Sequence, residues 1–132
     1  MAILRVKCDC GKIVEANVGD RLCDNKLYWF QSYHCNHCGT IIEVDGIEKI
    51  PVEIETAIME QEGRCGLLLH SSKDRRKADF LLKKHQNSIW DKFELFKENQ
   101  SDEIAQGTKN EMLHIKSFLE SKGGIDCTIK YY

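Results

Sequence analysis

Two short stretches hold most of the chemistry this chain can offer: Cys8-Asp9-Cys10-Gly11 and Tyr33-His34-Cys35-Asn36-His37-Cys38-Gly39. Each brings two thiols into one turn and ends in glycine. Thiols two or three residues apart face a common point only if the backbone curls around it. A glycine after the second thiol lets the chain leave that curl at positive φ. Cys8, Cys10, Cys35 and Cys38 together supply four thiolates, the ligand set of a closed, structural, tetrahedral Zn2+ site. A catalytic zinc needs an open position and a neighbouring base, and four thiolates leave neither. Cys23, His34 and His37 stand close in sequence, and any of them could replace Cys8 or Cys10 if the first, shorter turn cannot reach.

The remaining reactive side chains form no constellation. Cys65 and Cys127 fall in apolar surroundings and read as small buried groups. Cys65 with His70 or His114 as its base is conceivable on residue types alone, but no spacing supports it. There is no phosphate-binding glycine loop, no paired-carboxylate motif and no nucleophile array. The expectation is a protein that is not an enzyme and has no small-molecule substrate.

Composition narrows the class further. The chain has 132 residues, 42% hydrophobic and 30% charged, with a net charge of −2. That is enough apolar content for a core, and the charge does not mark a general nucleic-acid binder. No run of about 18 apolar residues exists to cross a membrane. Met1-Ala2-Ile3-Leu4-Arg5 lacks the apolar segment and cleavage site of a secretory leader. A cytoplasmic location is expected, where thiols stay reduced and clustered cysteines signal metal rather than disulfides. Seven cysteines, an odd number, point the same way.

The elements that position the thiols read as strands. Ile3, Leu4 and Val6 lead into the first cysteine turn, and Lys12 to Val18 leaves it. Gly19-Asp20 is expected to break the chain. Lys26 to Tyr33, rich in aromatic residues, enters the second turn, and Thr40 to Asp45 leaves it, with Gly46 expected to end the run. Strand, cysteine turn, strand, twice over, resembles the zinc-ribbon family across about the first 46 residues. Its residues here are Cys8, Cys10, Cys35 and Cys38. The first turn departs from the commoner ribbon spacing, having one residue between its thiols instead of two. Tyr28, Trp29, Phe30 and Tyr33, beside Lys26, read as core for a module with little interior and as a partner-facing patch. The competing reading is a stacking surface for single-stranded bases.

Pro51 suits the start of a helix, with Ile54, Ala57, Ile58 and Gln61 on one face and Gly63 as its stop. All its charges are glutamates, and it reads as an acidic connector. Cys65 to His70 is a buried-strand candidate. Ser71-Ser72 can cap a helix in which Ala78, Leu81, Leu82 and His85 share a side. Ser88 opens a second helix carrying Trp90 and Phe93, and Asn99 to Gly107 reads as loop. Thr108 with Glu111 is a capping box ahead of the apolar stripe Met112, Ile115, Phe118 and Leu119. Gly123-Gly124 stops that helix, and Ile125 to Tyr131 alternates as a closing strand. This order, over roughly residues 63 to 131, resembles the C-terminal domain of ribosomal protein L7/L12. The resemblance implies a three-stranded antiparallel sheet with helices on one face, and a domain that recruits proteins and does no chemistry. The family's glycines between its first two helices are replaced here by His85-Gln86-Asn87-Ser88, and its factor-binding basic residues have no clean counterparts.

The fold class expected is therefore α+β: a zinc ribbon over residues 1–50, an acidic connecting helix over 51–62, and a β-α-α-α-β unit over 63–132. The expected role is a non-catalytic, cytoplasmic, zinc-binding interaction protein, an adaptor or a small immunity-type inhibitor with a protein partner. Candidate contact residues are Tyr28, Trp29, Arg75, Arg76, Lys83 and Lys84. The alternative is a regulator that binds RNA or single-stranded DNA through the aromatic strand and the basic helix around Arg75 to Lys84, by phosphate contacts.

Overall fold

The computed structural model describes residues 2–71, 74–84 and 103–132. Strands β1 (Ala2–Lys7), β2 (Ile13–Cys23), β3 (Lys26–His34) and β4 (Ile41–Ile47) form one antiparallel sheet in chain order. Helix α1 (Val52–Glu62) packs on β1 and β2. A second antiparallel sheet has the order β6-β5-β7, from β5 (Cys65–Leu69), β6 (Glu103–Gly107) and β7 (Cys127–Tyr131). Helix α2 is Arg75–Lys84, and α3 is Lys109–Gly123. The molecule is a mixed α+β protein. No described helix is long and apolar enough to cross a membrane.

The first sheet corrects two expectations. Gly19-Asp20 does not break the chain, and Gly46 does not end β4, because both glycines lie inside strands opposite aromatic residues of β3. Gly46 pairs with Trp29, and a Cβ there would stand 2.5 Å from the indole. Gly19 pairs with Phe30 in the same way, its absent Cβ falling 2.6 Å from the ring. Each glycine is thus the floor on which a ring lies. The chain actually reverses at Asp24-Asn25, both at positive φ (51° and 62°), as a two-residue type I′ hairpin turn demands.

In the second half, the stretch expected as a loop contains β6. Its register against β5 runs from Cys65↔Gly107 to Leu67↔Ala105, with an irregularity between Leu67 and Leu68. Ile104 and Ala105 are buried, and the Glu103 carboxylate lies across Gly66 and accepts from Gln106 and Tyr132. A polar composition hid the strand because its charged group is satisfied inside the sheet. The expected helix from Ser88, with Trp90 and Phe93, lies outside the described residues, as do Ser72 and His85. The Thr108–Glu111 capping box is present: the Glu111 N–H donates to the Thr108 hydroxyl at 3.1 Å, and the Thr108 N–H to the Glu111 carboxylate at 2.9 Å.

Both halves of the chain feed one core. Ala2, Val18 and Leu27 of the first sheet and Ile54 and Ile58 of α1 belong to the same buried cluster as Leu67, Ile104, Met112, Ile115 and Leu119. Helix α3 touches β2 and β3 as well as β5, β6 and β7. Asp20 ties the halves together at the start of that helix. Its carboxylate accepts from the Thr108 hydroxyl at 2.5 Å and from the Asn110 amide at 3.1 Å.

Candidate metal centre

The two cysteine turns cap the β1–β2 and β3–β4 hairpins, at the end of the sheet away from the Asp24-Asn25 turn. The turns are built alike. The Cys8 N–H donates to the Lys12 carbonyl and the Cys35 N–H to the Thr40 carbonyl, both at 2.8 Å. The chain then closes back on the first cysteine: the Gly11 N–H reaches the Cys8 carbonyl and the Gly39 N–H the Cys35 carbonyl. One loop is a residue shorter, and its closing bond spans three residues instead of four. Gly11 and Gly39 sit at φ 93° and 79°, in the region that penalises any other residue. The short first turn therefore reaches the same point as the second.

The four sulfurs of Cys8, Cys10, Cys35 and Cys38 lie within 4.8 Å of one another. Cys8 Sγ is 3.6 Å from Cys38 Sγ, and Cys10 Sγ is 3.7 Å from Cys35 Sγ. A disulfide would need about 2.05 Å. A tetrahedron with metal–sulfur bonds of about 2.3 Å has edges of about 3.8 Å, close to what is found. This cluster could hold a metal ion. Cys8 and Cys35 are buried, while Cys10 and Cys38 are exposed.

The electrostatics of the cluster are uneven without a cation. The Thr40 hydroxyl, 3.0 Å from the Cys38 sulfur, and the Thr40 N–H bring that thiol down to about 6. At Cys10 the Lys12 N–H favours the thiolate, but desolvation and the sulfurs of Cys35, Cys8 and Cys38 outweigh it and push the group up to about 11. Four anions this close need a positive ion among them. Desolvation and the Cys8 sulfur also raise the Tyr33 phenol, which puts its hydroxyl beside the cluster.

The other candidates fall elsewhere. Cys23, His34 and His37 are exposed and do not join the group. Cys23 closes the opposite end of the sheet, paired with Lys26. Cys65 and Cys127 are buried in β5 and β7, and desolvation raises both thiols, Cys127 to about 11. The aromatic residues of β3 divide between two faces, as strand alternation requires. Trp29 packs against the core with Leu4, while Tyr28 lies on the other side under the Arg21 guanidinium, 5.9 Å from its ring centre. Arg75, Arg76, Lys83 and Lys84 all belong to α2; the Arg76 side chain is exposed, and those of the other three lie outside the described part.

Sequence reasoning missed the contacts of Asp20, Gln61 and Glu48. Asp20 was hidden by a neighbouring glycine. Gln61 hydrogen-bonds both backbone groups of Ile3. Glu48 meets His114 of α3 at 3.1 Å.

Comparison with protein-family models, with curated proteins and with solved structures returns no match to this chain. Neither the zinc-ribbon likeness nor the L7/L12 likeness gains support from a relative.

Proposed function

We propose that Cys8, Cys10, Cys35 and Cys38 bind one structural Zn2+, and that the protein is a non-catalytic, cytoplasmic interaction protein. In this reading the ion fixes a rigid β surface for a protein partner, as in an adaptor or a small immunity-type inhibitor. The observation that carries it is the sulfur spacing, 3.6 and 3.7 Å across two hairpins. Zinc is favoured over other ions because four thiolates in a closed tetrahedron suit it best in a setting without redox chemistry. With four protein ligands the ion has no position left for a substrate, so its work is mechanical.

Native mass spectrometry of the intact protein tests the metal: one zinc per chain is expected. Cobalt substitution should give the intense thiolate-to-metal absorption of a four-sulfur tetrahedral site. A capture experiment at native expression level tests the partner, and recovery of no protein would overturn that part. A labelled oligonucleotide at about 50 mM salt tests the competing nucleic-acid reading, since phosphate contacts are strong there.

A further inference from the structure

The first sheet has two edges, and among the described residues a guard stands at one of them. At the β1 edge, the Gln61 amide of α1 accepts from the Ile3 N–H at 2.8 Å and donates to the Ile3 carbonyl at 2.6 Å. That side chain occupies the place of a neighbouring strand's peptide group, a common way to block an edge. At the other edge, β4 pairs with β3 alone, and no such guard is present among the described residues. Every second residue of such a strand turns its N–H and C=O away from the sheet.

We propose that the free edge of β4 takes up an extended peptide reading basic–apolar–basic, added as a fifth strand. The inference rests on the interaction reading above and names its surface and ligand chemistry. Glu43, Val44 and Asp45 stand in the middle of β4, the two acids exposed on one face and Val44 on the other. Val44, 44% exposed, lines a largely apolar pocket of about 310 Å³ with Leu4, Val6, Trp29 and Ile54. A strand laid beside β4 alternates in step with it. Its residues opposite Glu43 and Asp45 meet carboxylates, and its residue opposite Val44 leans over the Trp29 pocket. Lysine or arginine flanking one leucine-sized side chain satisfies all three positions, in either chain direction.

A second copy of this chain fits poorly. Two β4 strands paired antiparallel must put same-face residues opposite one another, and in the registers that keep most of β4 paired, centred on Glu43, Val44 or Asp45, the acids face each other or themselves. Like charges directly opposite destabilise a strand pair. The occupant is a cationic segment rather than another β4.

The test uses the full zinc-loaded chain and a labelled peptide, Ser-Thr-Lys-Leu-Lys-Thr-Ser, read by fluorescence anisotropy. Binding is expected, and an N-methylated version that cannot donate backbone hydrogen bonds should bind at least tenfold more weakly. Glu43→Lys combined with Asp45→Lys changes only exposed side chains and should keep its zinc. That variant should lose the lysine peptide at least tenfold and gain affinity for the Glu-Leu-Glu counterpart. No binding at millimolar peptide, equal binding of the N-methylated form, or self-association of the wild-type chain through this edge would overturn the proposal. A cellular partner that still binds the double variant overturns the β4 edge as its site, yet leaves the interaction reading standing. A partner lost with the variant supports both.

Discussion

Asp20 shows how one carboxylate can set a pH dependence. Desolvation holds its folded-state value above the usual 3.8, outweighing the hydrogen bonds from Thr108 and Asn110. A raised folded value means that the native state holds the proton more tightly than the unfolded one. The stability it contributes is full below 3.8 and is lost as pH rises through the folded value. Asp20→Asn should therefore flatten the fall in stability above pH 4, measured by urea unfolding across pH. The cysteines give a second test. If the metal binds as proposed, Cys23 is expected to be the one fast-reacting thiol, since Cys65 and Cys127 are buried and the other four would be ligands. Stripping the metal should free the exposed Cys10 and Cys38, with the buried Cys8 and Cys35 following only as the hairpin ends open. On the same proposal, Cys35→Ser should abolish zinc binding and unfold the cysteine end of the hairpins.

At the scale of elements, Gly46 carries the next prediction. Gly46→Ala places a methyl group 2.5 Å from the Trp29 indole, so the ring must leave its seat. A cost of about 1–3 kcal/mol is expected, with a red shift in tryptophan emission. Gln61→Ala removes two edge hydrogen bonds, worth about 1 kcal/mol each, and should make the β1 edge prone to association, seen by light scattering. These elements also mark where the sequence was readable. The paired cysteines, the Pro51 start of α1 and the Thr108 capping box are local signals, and each stands where its chemistry placed it. Gly19 and Gly46 misled because a glycine is a turn signal until a ring from another strand is known to cover it. The Asp24-Asn25 reversal went unread for want of a glycine. Strand β6 was invisible because Glu103 and Gln106 are paired by Tyr132, which is distant in sequence.

Across the whole molecule, the shared core decides what metal loss does. Leu27 and Val18 of the first sheet pack in the same cluster as Met112 and Leu119. Loosening the first sheet therefore disturbs α3, and the two halves should melt as one. If zinc binds as proposed, free zinc at about 1,000 times its Kd would contribute about 4 kcal/mol. Chelation should thus lower Tm by about 10–20 °C for a chain of this size, in a single calorimetric transition. Two separated transitions would show that the halves unfold independently.

The clasp between Asp20 and Thr108 spans 88 residues of chain. During synthesis, at roughly 5–20 residues per second, several seconds separate the emergence of its two ends. Through that interval the first sheet has left the ribosome while α3 does not yet exist to support it. Until then the hairpins have only α1 packed on β1 and β2 and, on the proposal above, the ion at their ends, so zinc supply at the moment of translation, more than its abundance afterwards, should govern how much of this protein a cell recovers intact.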